Sequence, residues 1–295
     1  MASTSPGGPD GARTVLDVVR LSTSYLSEHG SDSARLDSEL LMAHALGIER
    51  LGVYLQYDRP LDDHELDTIR TLLRRRGRGE PIAHLTGRRE FYGRSFRVTP
   101  AVLIPRPETE TLVERAIKVA REQGGDLRIA DLGTGSGCLA CTLAAELPGA
   151  TVIASDLSAA ALAVAAENAE ALGVAGRVLF VEGGWAEGLV ADLDLVVSNP
   201  PYITSAEMEE LPRDVTFEPR LALDGGADGL DAYRELLPAV AERAAGVCWV
   251  GLEVDSRRAA AVAELSRGLW PEAVIVIVDD LTRRPRVVEI RGEVP

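Results

Sequence analysis

The chain has 295 residues, with 46 acidic against 31 basic side chains, a net charge of −15 and 46% apolar residues. That length accommodates two domains with a sizeable core, and the apolar share is that of an ordinary globular protein. No apolar run is long enough to span a bilayer, so no membrane partner is expected.

Residues 1–12 are rich in Ser, Gly and Pro without the basic-then-apolar order of a signal peptide. They read as a disordered tail, and a cytoplasmic address follows by default. The three cysteines are Cys138, Cys141 and Cys248, and the first two have the spacing of a redox or zinc pair. They sit in an apolar helical run, however, far in sequence from His29, His44, His64 and His84. They read as small buried apolar residues, and no metal site is expected.

Charge is uneven: residues 1–90 carry 12 Arg and 14 acidic residues, and the remainder 19 basic and 32 acidic, a balance of −13. So acidic a second part should be repelled by a phosphate backbone. The basic run Arg74-Arg75-Arg76-Gly77-Arg78 reads as the C-terminal turn of a helix, complementing its dipole.

In chain order, periodicity and stop signals predict helices over 14–28, 33–46 (capped by Ser33, ended by Gly47), 50–56 and 63–76. The third carries Leu51, Tyr54 and Leu55; the fourth turns Leu66, Ile69, Leu72 and Leu73 inward. A hairpin is predicted around Gly93-Arg94, then a helix over 109–121. From Leu127 onward, strands at 127–132, 151–155, 178–182, 193–198, 246–252, 273–278 and 287–290 alternate with helices at 138–146, 158–172, 232–244 and 256–267. That pattern predicts a parallel sheet covered on both faces, with the last two strands close enough to pair antiparallel. The expected domains are a tail (1–12), a helical recognition module (13–86), a β-hairpin linker (87–107) and a catalytic domain (108–295).

Asp131-Leu132-Gly133-Thr134-Gly135-Ser136-Gly137 ends the first strand of the sheet and opens a helix, a turn that lets a ligand approach the backbone. Dinucleotides and S-adenosylmethionine both use such turns. Here the spacing is GxGxG, with Cys138 where a dinucleotide fingerprint places its last glycine. Asp131 suits a cationic group better than a pyrophosphate. Asp156 follows the second strand, 19 residues beyond Gly137, where a carboxylate would accept ribose hydroxyls; otherwise it is a helix N-cap beside Ser158. Trp185 lies where an adenine would rest, or is an edge aromatic of the core.

The fourth strand runs into Asn199-Pro200-Pro201-Tyr202. The two prolines have no N–H, so this stretch of main chain offers acceptors and no donors. With the Asn199 side-chain oxygen and the flat Tyr202 ring, it forms a slot for a planar –NH2 on an sp2 carbon. Amides and nucleobases both carry such a group.

Together these features resemble a Rossmann-like α/β fold, the class I S-adenosylmethionine-dependent methyltransferase, with a seven-stranded mixed sheet. Further segments are similar to the HemK/PrmC family, the methyltransferases of peptide chain release factors: residues 80–87 (EPIAHLTG), 90–93 (EFYG), 103–110 (LIPRPETE), and 217–226 (FEPRLALDGG) with Gly229-Leu230. The resemblance extends from about Arg35 to Arg291. It implies S-adenosyl-L-methionine held by Asp131, Gly133, Thr134, Gly135, Ser136, Gly137, Asp156, Trp185 and Asn199. The implied reaction methylates the side-chain nitrogen of the Gly-Gly-Gln glutamine in class 1 release factors. Asn199, Pro200 and Tyr202 would be catalytic, and Pro201 would help bind the substrate. The implied enzyme is a monomer without direct nucleic-acid contact. In Gly183-Gly184-Trp185 the acidic residue that many members carry before the aromatic is missing, which leaves the adenine amine unpartnered or served by Glu182. Arg106 and Glu110 either line the pocket or pair with each other. Asp224, Asp228 and Asp231 lack the ligand order of a calcium loop and read as a turn shaping the cleft. The rival readings are an adenine or guanine amino-methyltransferase and a dinucleotide-dependent oxidoreductase or binding module, the latter leaving residues 199–202 unexplained.

Overall fold

Thr14 begins the first helix by a reciprocal cap: its side chain accepts from Asp17 N, and the Asp17 carboxylate accepts from Thr14 N. The computed structural model in which this is seen describes residues 13–187, 189–190, 192–243 and 246–292. The tail read over 1–12, and Ala244 at the end of a predicted helix, lie outside them. Two compact units are present. One holds the described residues up to Gly87 together with Arg213–Phe217; the other holds Arg88–Pro212 and the chain from Glu218 onward.

The first unit is helical: α1 (Val15–Glu28), α2 (Ala34–Leu46), α3 (Arg50–Leu55), α4 (Asp63–Gly77) and α5 (Ile82–Thr86). Val15, Val19, Met42, Val53 and Ile69 make its core. Two expectations change here. In α3 the buried residue is Val53, whereas Leu51 and Leu55 are exposed, because a helix of six residues is too short for periodicity to fix its inner face. The single-turn α5 was unforeseen for the same reason. The Ser33 hydroxyl donates to Asp37, 2.9 Å away, and its oxygen accepts no backbone N–H of α2, so it does not cap that helix. Asp37 is buried and receives Arg76 Nε at 2.8 Å, while Arg75 pairs with Glu80. Two of the four arginines of the basic run are thus spent inside their own unit.

The second unit opens with a hairpin, β1 (Arg88–Phe91) and β2 (Arg94–Arg97). Its turn is Tyr92-Gly93, one residue earlier than predicted. Both have positive φ, 48° and 69°, the twist a two-residue hairpin requires. After α6 (Glu110–Gln123) the chain alternates β3 (Arg128–Leu132), α7 (Cys138–Glu146), β4 (Thr151–Asp156), α8 (Ala159–Ala171), β5 (Val178–Glu182) and β6 (Leu195–Ser198). Next come α9 (Asp231–Arg243), β7 (Trp249–Glu253), α10 (Ala259–Leu269), β8 (Val274–Asp279) and β9 (Pro285–Arg291). These strands form one seven-stranded sheet in the order β5-β4-β3-β6-β7-β9-β8. The first five are parallel, and β9 pairs antiparallel with both β7 and β8. Alternate strand residues face two cores. Ile129, Leu195 and Val197 join α6, α7 and α8 on one face; Ala130, Val196 and Val250 join α9 and α10 on the other.

Glu289 of β9 is wholly buried and is held by the guanidinium groups of Arg115 and Arg291. Burial pushes its carboxyl pKa up, but the two arginines outweigh that and hold it below the usual range. Its charge therefore stabilises the fold above the unfolded pKa of about 4.3, and that stability is lost as pH falls through the lower folded value. Glu289→Gln should cost about 3–5 kcal/mol in urea unfolding at neutral pH, with the gap to wild type closing in acid below about pH 4.

Candidate active site

At the end of β3 the chain must leave the sheet and enter α7 within five residues, and glycine makes this possible. Gly133 has φ +75°, and a Cβ there would lie 3.3 Å from the Trp185 ring. The N–H groups of Gly133 and Thr134 both donate to Ser155 O at 2.9 Å, fastening the turn to β4. Gly137 packs against Ala165 of α8, where a Cβ would come within 3.0 Å of the alanine methyl. Buried Asn168 adds a brace: its Nδ2 donates to Ser136 O and Arg97 O, and its Oδ1 accepts from Arg97 N.

Asp131 lies under this turn and is fully buried. Its Oδ2 accepts from Thr134 Oγ1 at 2.6 Å and from Ala140 N at 3.1 Å, while Oδ1 has no hydrogen-bond partner among the described residues. Burial raises its pKa to about 7, against the pull of those two donors. Asp131 therefore shapes the turn from beneath and does not stand in the cavity wall.

Above the turn is a cavity of about 300 Å³. Gly133, Thr134, Gly135 and Ser136 wall one side, Asp156 and Trp185 another. Asp156 Oδ2 accepts from Gly135 N at 2.8 Å and Oδ1 from Ser158 N at 2.9 Å. Capping of α8 falls to Ser158, whose hydroxyl accepts from Ala161 N; Asp156 is free of that task and lines the cavity. Trp185 packs partly on the second core and donates its indole N–H to Glu235 at 3.2 Å. Glu182 is exposed. The carboxylate lying against Gly184 is instead that of Glu187, whose Oε2 would be 3.3 Å from a Cβ at Gly184.

The far wall is Asn199 and Pro201. Asn199 Nδ2 donates to Thr109 Oγ1 at 3.3 Å. Pro200 is buried, and Tyr202 is half-buried with its ring packed against the second core. Burial, followed by the neighbouring Glu253, pushes the Tyr202 phenol pKa upward. The flat Tyr202 ring thus packs against the core beside the loop, and the chain turns back after Pro201. Ile203 N donates to Leu223 O and Gly225 N to Ile203 O. This return explains Gly225 and Gly229: a Cβ on Gly225 would lie 2.7 Å from Pro201 O, and one on Gly229 2.4 Å from Tyr202 O.

Arg106 lines the cavity and pairs with Glu218 at 2.5 Å, not with Glu110; Glu110 accepts from Tyr92 N. Glu218 also accepts from Ile104 N at 2.8 Å, so one buried carboxylate ties two of the family-like segments together. Asp224 pairs with Arg220, and Asp228 and Asp231 share Arg234. Both Cys138 and Cys141 have thiols pushed to about 12 by burial. Among the described residues, no cluster of His, Cys, Asp and Glu could hold a metal ion, and no helix is long and apolar enough to cross a membrane. Thr109 and Glu218 lie inside the family-like segments but were given no role there, and Asn168 and Glu253 were not singled out, since nothing local marks a buried polar residue whose partners are distant in the chain.

Residues 17–87 match the family described as the PrmC N-terminal domain, and residues 109–214 the methyltransferase small domain. The catalytic domain of hMettl16, solved with a MAT2A 3'UTR hairpin, superimposes with a TM-score of 0.55 at 16% identity, over 71% of this chain and 80% of that one. That likeness is one of fold alone. A release factor glutamine methyltransferase of Geobacter sulfurreducens is 44% identical over 252 residues, 85% of this chain and 86% of the relative. One of Bradyrhizobium diazoefficiens is 42% identical over 294 residues, 97% of this chain and 95% of the relative. With a seven-stranded sheet, a glycine turn and an Asn-Pro-Pro-Tyr loop meeting at one cavity, and with relatives this similar along nearly its whole length, the chain belongs to the release factor glutamine methyltransferase family.

Proposed function

We propose that this chain methylates the side-chain amide nitrogen of the Gly-Gly-Gln glutamine in class 1 peptide chain release factors, using S-adenosyl-L-methionine. The observation that carries this reading is that the glycine turn and Asn199 wall a single cavity.

The cavity suits the methyl donor on two counts. Gly133 leaves room beneath Trp185 that a side chain would fill, and the unpartnered Asp131 Oδ1 places negative potential under the turn, where a methionine ammonium would be attracted. Gly135, Ser136 and Gly137 would keep the backbone close to the ligand, Asp156 would accept from the ribose hydroxyls, and Trp185 would flank the adenine. When bound, the donor supplies a methyl group made electrophilic by its sulfonium.

The chain's own residues would then prepare a weak nucleophile. An amide nitrogen has its lone pair delocalised into its carbonyl, and it gains positive charge as it reacts. Acceptance of its N–H groups by Asn199 Oδ1 and the Pro200 carbonyl would favour that charge and orient the lone pair. Pro201 would close the slot against water, and Tyr202 would hold the loop from behind. The proton leaves to solvent, since an N-protonated amide is strongly acidic. The helical unit, with no catalytic cluster among its described residues, is the proposed recognition module.

The deciding experiment supplies labelled S-adenosyl-L-methionine with release factor, RNA or DNA as acceptor. Label is expected in the release factor glutamine; label in nucleic acid alone would establish the rival amino-methyltransferase. Asn199→Ala should lose roughly a hundredfold or more in kcat at saturating donor. Asp156→Ala should raise the donor Kd about tenfold or more, measured by calorimetry, through loss of charge-assisted hydrogen bonds.

A further inference from the structure

The two ends of the Asn199 carboxamide are alike in shape and opposite in sense: the oxygen accepts and Nδ2 donates. Only the oxygen can receive an N–H from a substrate amide. If the group turned over, two NH2 groups would face each other. Its partner in the structure is Thr109, with Oγ1 at 3.3 Å from Nδ2. A hydroxyl both donates and accepts, so Thr109 alone cannot fix the orientation. The orientation is fixed once the single hydroxyl proton is committed elsewhere.

Glu253, the last residue of β7, can commit it. The residue is wholly buried, and neither carboxyl oxygen has a partner within full hydrogen-bonding geometry among the described residues. Among the groups that favour its ionised form, the Thr109 hydroxyl is the foremost, acting as a hydrogen-bond donor. An ionised carboxylate only accepts. Arg286 of β9 and Arg106 also favour the charge, Glu108 opposes it, and Tyr202, Tyr233 and Cys138 lie within its field. Burial is the largest influence and brings the carboxyl to about 7.

We propose that Thr109 and Glu253 are positioning residues: Glu253 accepts from the Thr109 hydroxyl, Thr109 accepts from Asn199 Nδ2, and Asn199 Oδ1 is thereby kept toward the substrate amide. This rests on the reading of Asn199 given above. The pH dependence has a definite sign. Above about 7 the carboxylate can only accept, and the chain of hydrogen bonds runs one way. A protonated Glu253 can itself donate to Thr109, which frees the threonine proton for the Asn199 oxygen, and the amide loses its fixed sense. kcat should therefore fall as pH drops through that value.

The test measures kcat, KM and donor Kd of the full chain with release factor between about pH 6 and 9, with thermal melting of each variant alongside. Thr109→Val should lower kcat roughly tenfold or more while donor Kd stays within about threefold. Thr109→Ser, which returns the hydroxyl, should restore most of kcat. Glu253→Gln should remove the inflection near neutral pH and leave kcat near the low-pH level throughout, because its amide both donates and accepts. Wild-type kcat in Thr109→Val overturns the proposal, as does a wild-type inflection that persists in Glu253→Gln. Should Glu253→Gln fail to fold, the Thr109→Val and Thr109→Ser pair decides the matter. A wild-type chain that leaves release factor unlabelled overturns both this inference and the proposed function, whereas an active wild type with an unaffected Thr109→Val overturns this inference alone.

Discussion

The parallel pairing of β3 with β6 is the constraint on which the site depends. Leu132 lies opposite Ser198, and the Ser198 hydroxyl donates to Leu132 O at 2.6 Å. Neighbouring strands lie about 4.8 Å apart, so the residues that follow, Gly133 and Asn199, leave the sheet side by side. A slip of one residue would turn every side chain of β6 to the opposite face and carry the Asn-Pro-Pro-Tyr loop away from the glycine turn. Leu195, Val196 and Val197 are all inaccessible, so β6 is buried on both faces.

Strand order then makes this edge a crevice. From β3 the chain first moves outward through β4 to β5, then returns to place β6 on the other side of β3. Connections leave β3 and β6 in opposite directions, so a gap opens beyond their carboxyl ends, where ligands bind in open α/β sheets. Asp156, at the end of β4, reaches back to Gly135 across the same edge. Two irregular segments complete the walls, one containing Val102, Leu103 and Arg106 and the other Pro219 and Leu221. Glu218 fastens the first to the second through Ile104 N and Arg106.

Buried carboxylates recur around this cavity, and each has a different physical setting. Glu218 is neutralised by Arg106 and a backbone N–H; Asp131 has one oxygen used and one left over; Glu253 has no full hydrogen bond among the described residues. Unpaired buried charge is costly, so two such residues at a ligand-binding edge are more than packing requires. An ammonium above Asp131 and a hydroxyl beside Glu253 would each offset part of that cost. The same low-dielectric surroundings strengthen any hydrogen bond to a charge developing at Asn199.

Local chemistry was enough to read much of this protein from its sequence. Three glycines after an apolar strand, an acid after the next strand, and two prolines behind an asparagine are local patterns, so the placing of the glycine turn, Asp156 and Asn199 at the strand ends was legible. So were the alternating strands and the antiparallel last pair, since period and loop length are local properties too. Only the tertiary structure decided which residues stand behind those groups. Asp131 went beneath the turn rather than into the cavity, Tyr202 came to pack against the second core, and Arg106 went to Glu218 instead of Glu110. Thr109 and Glu253 lie 90 and 54 residues from Asn199 along the chain. Burial and side-chain direction depend on packing between segments that distant, and no spacing along the chain encodes them.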